Sequence, residues 1–143
     1  MTPNRKHFVD ELHELNNKVS KMGDEVYNSY IKLISVCETR DLDLAEQIME
    51  QDKLINELEI SINVDAYLLI AKQCPVASDL RRIITALKIA NDLERIGDIY
   101  YQMSKTIERK DESKLYFLPE QRENLNNMLD VLDKAFTEMN GNL

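Results

Sequence analysis

Three long antiparallel helices in an up-down-up bundle, with a shorter fourth helix, form the all-α fold that this 143-residue sequence predicts. Three observations point there. Apolar residues recur at alternating spacings of three and four over long stretches, the signature of one buried helix face. Gly and Pro number only three each, too few for a fold of many tight turns. Aromatics make up 6% of the chain and Trp is absent, while helix-compatible Leu, Ile, Glu, Asn and Lys abound. With 43% hydrophobic and 31% charged residues, the chain has the material for one real core at single-domain size.

The first helix is expected over residues 3–37, where Phe8, Leu12, Leu15, Val19, Met22, Val26 and Leu33 share a face. The segment TRDLDLAE then breaks the pattern. Either Asp41 or Asp43 caps the next helix, and Asp43 with Glu46 resembles a capping box. The second helix runs to about Gln73. At QCPVAS a break follows, because Pro75 has no N–H to donate and pushes Cys74 out of α geometry. Pro75 also suits the first turn of a third helix from about Val76 to Lys110, whose closing pair Arg109 and Lys110 complements the negative end of the helix dipole. The rival, one kinked helix of about seventy residues, is disfavoured by ordinary helix lengths. After the polar link DESKLYF, Pro119 opens a fourth segment in which Leu125, Met128, Leu129, Leu132, Phe136 and Met139 share a face that needs covering. The division expected is residues 1–110 for the bundle and 111–143 for linker and fourth helix.

Charge and composition exclude several classes. A formal net charge of −8 gives no basic field to condense on phosphate backbones, so nucleic acid is not an expected partner. No apolar run is long enough to span a bilayer, and the opening MTPNRKHFVDEL lacks the apolar core of a signal peptide; a cytoplasmic location is expected. Cys37 and Cys74 fall at opposite ends of the second helix, roughly 50 Å apart at about 1.5 Å per residue, far beyond disulfide reach. Both are expected reduced and buried.

Carboxylates interrupt the seams. On the second helix the row Ala45, Ile48, Ile55, Ile62, Ala66, Leu69 is broken by Asp52 and Glu59, with Asn56 about 40° from Asp52. On the third, Leu80, Ile84, Leu87, Asn91, Glu94 and Asp98 point in one direction, apolar first and acidic later; a second stripe of Ile89, Leu93, Ile96, Tyr100 and Ile107 lies roughly opposite. Glu94 and Asp98 thus look out from the bundle or across at helix two. Asn56 precedes Pro75 by 19 residues and Glu94 follows it by 19; for Asp52 and Asp98 both separations are 23. An antiparallel hairpin brings all four to one height, together with the Gly23–Tyr27 stretch of helix one. Gly23 there serves either close backbone approach or plain packing, at about 1 kcal/mol of helix propensity. Oxygen ligands from Glu94, Asp98, Asp52 and Asn56 suit a hard or borderline cation such as Mg, Mn or Fe. Salt bridges from those carboxylates to Arg95, Arg81 or Lys53 are the competing explanation.

The stretch QCPVASDLRRIITALKIANDLERIGDIYYQM is similar to the core of the PhoU family of phosphate-signalling regulators. Its elements PVASDLR at 75–81, DLERIGD at 92–98, DKLINELE at 52–59 and KMGDEV at 21–26 stand in that family's order and spacing. The resemblance covers residues 8–110, and the fourth segment loosely. It implies tandem bundles of long, spectrin-like antiparallel helices whose E/D-x-x-x-D motifs hold iron, manganese, zinc or magnesium. Glu94 and Asp98 match that motif directly. On helix two Asp52 matches, while Asn56 departs from it by standing where an acid is usual. The resemblance also implies a non-catalytic, cytoplasmic regulator, peripheral to the membrane at most. Such a protein links the ATPase of a phosphate ABC transporter to a sensor histidine kinase and restrains the phosphate-starvation response. Arg81 and Arg82 would anchor partner acids or phosphate, with Arg81 equally a structural partner for carboxylates such as Asp98. Set beside that pattern, the chain holds one repeat and the first helix of an incomplete second. Whether fragment, truncated form or natural short form, its 119–139 face is expected to fold back or to pair in a homodimer.

Two other functional classes compete. A ferritin-like di-metal oxidase needs Glu-x-x-His pairs inside the bundle, yet His7 and His13 sit near the start of helix one, away from the acidic layer. A structural helical adaptor without metal would use Met22, Met103, Met128 and Met139 as core filler.

Overall fold

The computed structural model describes residues 3–108, with Asn127 and Lys134 as isolated positions beyond them. Within 3–108 the chain forms α1 (Pro3–Thr39), α2 (Leu42–Gln73) and α3 (Ala77–Glu108), each packed against the other two. These are the three helices the spacing predicts, as separate elements; the end of α1 and the starts of α2 and α3 lie within two residues of the expected positions, and the expected end of the third helix at Lys110 lies outside the described residues. The predicted fourth helix over 119–139, the linker before it and the Arg109–Lys110 pair lie outside the described residues.

Both turns are short and closed by left-handed residues. Arg40 (φ 57°) ends α1, its N–H donating to the Val36 carbonyl at 2.7 Å. Asp41 then caps α2, its Oδ1 accepting from the N–H groups of Asp43 (3.0 Å) and Leu44 (3.3 Å). Of the two caps the sequence offered, Asp41 is used; Asp43 lies inside the first turn, so the Asp43–Glu46 capping box is corrected. Cys74 ends α2 at φ 42°, donating to the Ile70 carbonyl at 3.2 Å, outside α geometry as Pro75 requires. Both cysteines are exposed, which corrects the expectation of buried thiols. Each flanks a turn, where no third helix covers the side chain.

The core runs the length of the bundle. α1 contributes the predicted row from Phe8 to Leu33 and adds Val36; α2 contributes Ala45, Ile48, Ile55, Ile62, Ala66 and Leu69. On α3 the buried stripe is Ile83, Ala86, Ile89, Ala90, Leu93, Ile96, Tyr100 and Ile107. Ile84 is 39% exposed, and Leu80 and Leu87 are only half-buried. The stripe expected to be apolar first and acidic later is therefore the flank of α3, and the second stripe is its core for the whole length. Met22 is fully buried and Met103 packs at the core's edge, as filler.

Polar contacts fix the register. Lys18 on α1 bonds Ser61 (2.7 Å) and pairs with Asp65 on α2. Gln51 on α2 donates to Glu25 (2.7 Å) and accepts from Lys32 (3.4 Å), both on α1. Between α1 and α3, the Tyr30 and Tyr100 rings lie 6.0 Å apart. Burial, and then Tyr30, push the Tyr100 phenol above its usual range, and its hydroxyl has no hydrogen-bond partner among the described residues. Among the described residues no helix is long and apolar enough to cross a membrane.

Candidate metal centre

The predicted residues flank the α2–α3 seam on α2 and α3 without converging on one point. Gly97 is buried there, and a Cβ at that position would stand 3.4 Å from Ile55 side-chain atoms and 3.6 Å from Asp52 Oδ1. Asp52 thus faces the residue next to Asp98, within one position of the register counted from Pro75. Gly97 makes a close approach at this seam. The signal was available, since a glycine in a helix interior sacrifices about 1 kcal/mol relative to alanine, but the same signal pointed to Gly23.

Charge at this seam is unbalanced. Asp52 is half-buried, and its carboxyl is raised above the ordinary value by desolvation first, then by the charges of Asp98 and Glu94. Asn56 works the other way, donating to Asp52 Oδ2 at 3.3 Å. Among the described residues the buried Oδ1 of Asp52 finds no hydrogen-bond partner, an expensive state for a carboxylate oxygen. Two turns along α2, Glu59 is raised by desolvation and by Glu94. Glu94 is half-buried, while Asp98 and Asn56 are exposed.

The competing cations are engaged elsewhere or distant. Lys53 pairs with Glu50 (3.2 Å) and Arg95 with Asp92 (3.9 Å). Arg81 is exposed and lies 17 residues before Asp98 on the same helix, about 25 Å away. That distance corrects the reading of Arg81 as a partner for Asp98. Arg82 turns to Asp79 at 3.4 Å. Asp79, which sequence reasoning left without a role, is 1% exposed and also paired with Arg5 from the start of α1; that bond and its charge raise the Arg5 guanidinium. Its cations come from three and 74 residues away, and the second spacing carries no local signature.

No group of three or more His, Cys, Asp or Glu among the described residues is drawn together in metal-holding geometry. Like charges hold the carboxylates apart when nothing positive stands between them. The donor set fits a hard cation nonetheless, on two observations: the orphaned Asp52 Oδ1 and the raised Asp52 carboxyl beside two further acids without a cationic partner. Histidine-rich di-metal chemistry has no such support here: His13 is exposed, and His7 is exposed and paired with Glu11.

A family model described as the PhoU domain matches residues 19–107. The chain belongs to the PhoU family. It is 39% identical over 132 residues to phosphate-specific transport system accessory protein PhoU homolog 1 of Thermotoga maritima, a match covering 91% of this chain and 57% of the relative. The PhoU homolog of Clostridium acetobutylicum is 34% identical over 142 residues, 95% of this chain and 64% of that protein. For Escherichia coli PhoU the identity is 35% over 99 residues, 69% and 41% of the respective lengths. The chain therefore spans about three fifths of the length of the first two of these relatives. The PhoU-domain match takes in all four predicted ligands.

Proposed function

We propose that this chain is a non-catalytic accessory of phosphate uptake and phosphate-starvation signalling, a metal-binding adaptor acting at the cytoplasmic side between a phosphate ABC transporter ATPase and a sensor histidine kinase. Family membership supports the phosphate-transport role, since the relatives are named as accessory proteins of phosphate-specific transport systems. The partners follow from the family resemblance, as does assembly into homodimers. The metal rests on one observation of this molecule: a half-buried aspartate with an orphaned oxygen, raised by burial first and then by two neighbouring acids that no side-chain cation among the described residues offsets.

Asp52, Glu94 and Asp98 would hold iron, manganese, zinc or magnesium, with the Asn56 carbonyl oxygen available as a neutral donor once its amide leaves Asp52. The bound cation supplies positive charge at a seam that otherwise repels itself. The protein's part is positional: Gly97 admits α2 close to α3, Ile55 packs against it, and the two rigid helices fix the spacing of the acids. A metal-responsive seam joining α2 to α3 gives an adaptor a surface whose charge and stiffness depend on loading.

The test is metal per chain by elemental analysis, with melting curves, after exposure to Mn, Fe, Zn or Mg. The comparison is an Asp52→Ala plus Asp98→Ala variant. Stoichiometric metal and a melting rise in the parent, equivalent to about 2.7 kcal/mol at a hundredfold excess over Kd, with neither in a folded variant, is the expected result. A second reading, an adaptor that works without metal, is favoured by the carboxylates standing apart in the structure, and predicts no metal in either protein. Recovery of the transporter ATPase or the kinase in a pull-down tests the partners separately.

A further inference from the structure

α1 and α3 run in the same direction, and the contact between the Tyr30 and Tyr100 rings sets their relative level. Glu25 and Lys32 on α1 reach Gln51 of α2. Turning about α1 from those two past Tyr30, the next side chains are Ile34, Tyr27 and Ile31, about 40°, 60° and 100° beyond it. On α3 Gly97 faces Ile55 of α2; turning from it past Tyr100, Met103 and Ile99 follow at about 60° and 100°. Both sets therefore border one groove, on the side of the α1–α3 contact away from α2. Tyr27, Ile31, Ile34 and Ile99 are 58%, 49%, 40% and 41% exposed, and Met103 is half-buried. Gly23 and Ser20, small and half-buried, continue the α1 bank toward the start of the helix. Single exposed apolar residues are ordinary, but five along one groove form a patch that calls for a cover.

The chain itself supplies a cover of the right length at the right end. α3 closes at Glu108, little more than one turn past Met103. The ten residues 109–118 can span up to about 33 Å, enough to reverse direction there. The apolar stripe that follows, from Leu125 to Met139, covers about 21 Å of helix, the same length as the bank from Ser20 to Ile34. We propose that residues 119–139 of the same chain seat this stripe in the α1–α3 groove, antiparallel to both helices. With Leu125 level with Ile34, Leu132 stands level with Tyr27 and Phe136 with Gly23. The only ring of the stripe thus meets the one position on the bank that has no side chain. The other exposed apolar row, Ile60, Val64, Tyr67 and Leu68 on α2, is a poorer seat. It lies on one helix instead of between two, and it begins 18 residues, about 27 Å, from the end of α2 beside Glu108. The seat requires neither metal nor phosphate and stands apart from the function proposed above.

Hydrogen exchange of the full 143-residue chain in metal-free buffer, followed by mass spectrometry, tests the proposal, with circular dichroism confirming the fold of each variant. Amides of 119–139 should exchange at least about tenfold more slowly than those of an unstructured chain. Ile31→Asp and Gly23→Leu should each remove that protection, and Val64→Asp on α2 should keep it. In an uncovered groove Gly23→Leu would only improve helix propensity, so lost protection marks a blocked seat. A disulfide then shows which chain supplies the segment. In a Cys37→Ser/Cys74→Ser background, Tyr27→Cys/Leu132→Cys should close within one chain at least about tenfold faster than Val64→Cys/Leu132→Cys. Unprotected 119–139 amides in the parent overturn the proposal, as does protection indifferent to Ile31→Asp and Gly23→Leu. Equal closure rates, or a disulfide that joins two chains, overturn it as well, because another surface or another copy is then the seat.

Discussion

Two carboxylates of this bundle face opposite circumstances. Asp79 is the more deeply buried, yet α1 and α3 each bring it an arginine, and its charge is matched within the chain. Asp52 is only half-buried, but the charges around it are negative and one of its oxygens has no partner among the described residues. Burial alone therefore does not mark a functional acid. What distinguishes the two is whether the fold supplies the counter-charge: where it does, the acid clamps helices together, and where it does not, the acid is left repelling its neighbours, which is what makes it the candidate ligand of the proposed metal.

The largest effect expected from breaking this contrast is at the clamp. Asp79→Ala removes charge-assisted bonds that join the starts of α1 and α3, together with an acid in the first turn of a helix. A loss of about 2–3 kcal/mol in urea unfolding is expected, with the metal-induced melting rise unchanged. If that rise disappeared as well, the two acids would not be independent. At the other seam, Gly97→Leu should force α2 and α3 apart at Asp52, lowering stability by about 2 kcal/mol and abolishing the metal response. Gly97→Ala should be tolerated, because a Cβ meets Ile55 at ordinary contact distance. It should keep the response and gain up to about 1 kcal/mol of helix propensity. A metal response that survives Gly97→Leu would show that helix approach is irrelevant to binding.

These two sites were unequally legible. The α2–α3 register followed from Pro75 alone, because a hairpin about a fixed break places residues equally far from it at one height, and Asp52 does meet Gly97 beside Asp98. The core face of α3 did not follow. Two apolar stripes compete over its first half, and only packing against α1 and α2 decides that Ile83, Ala86 and Ala90 go inside while Leu80 and Ile84 stay at the margin. Asp79's role was invisible for a similar reason, since Arg5 approaches it from 74 residues away in sequence. Thiol exposure was misjudged because Cys37 and Cys74 flank the turns at the two ends of α2, where side chains reach solvent.

A smaller effect sharpens the contrast through pH. Asp52 and Glu59 are raised from their ordinary values of 3.8 and 4.5, so the folded chain holds those protons more tightly than the unfolded chain does. Their contribution to stability is fully present below the ordinary values and is lost as pH rises through the raised ones. In metal-free buffer the Asp52→Asn/Glu59→Gln variant should therefore be more stable than the parent at pH 7, by less than about 1 kcal/mol because both groups remain screened by solvent. The advantage should vanish below pH about 4. The same variant should lose its response to metal, giving opposite signs for stability and binding in one protein. A variant less stable than the parent at pH 7 would mean that these carboxylates are structural after all.

Asn56→Asp should move stability least and separate the two kinds of acid most cleanly. Asn56 now donates to Asp52 Oδ2, and this contact is what lowers the Asp52 carboxyl against its other influences. Replacing it with a carboxylate removes the donor and sets a like charge one turn away, which should lower metal-free stability by about 0.2–0.5 kcal/mol. The same change adds an anionic ligand to the set, so Mn or Zn titration followed by calorimetry should show affinity raised roughly tenfold. Were Asp52 an acid of the Asp79 kind, already matched within the chain, the substitution would lower stability and leave metal affinity where it was. A loss of stability accompanied by tighter binding requires that the charge missing at this seam is supplied by a cation.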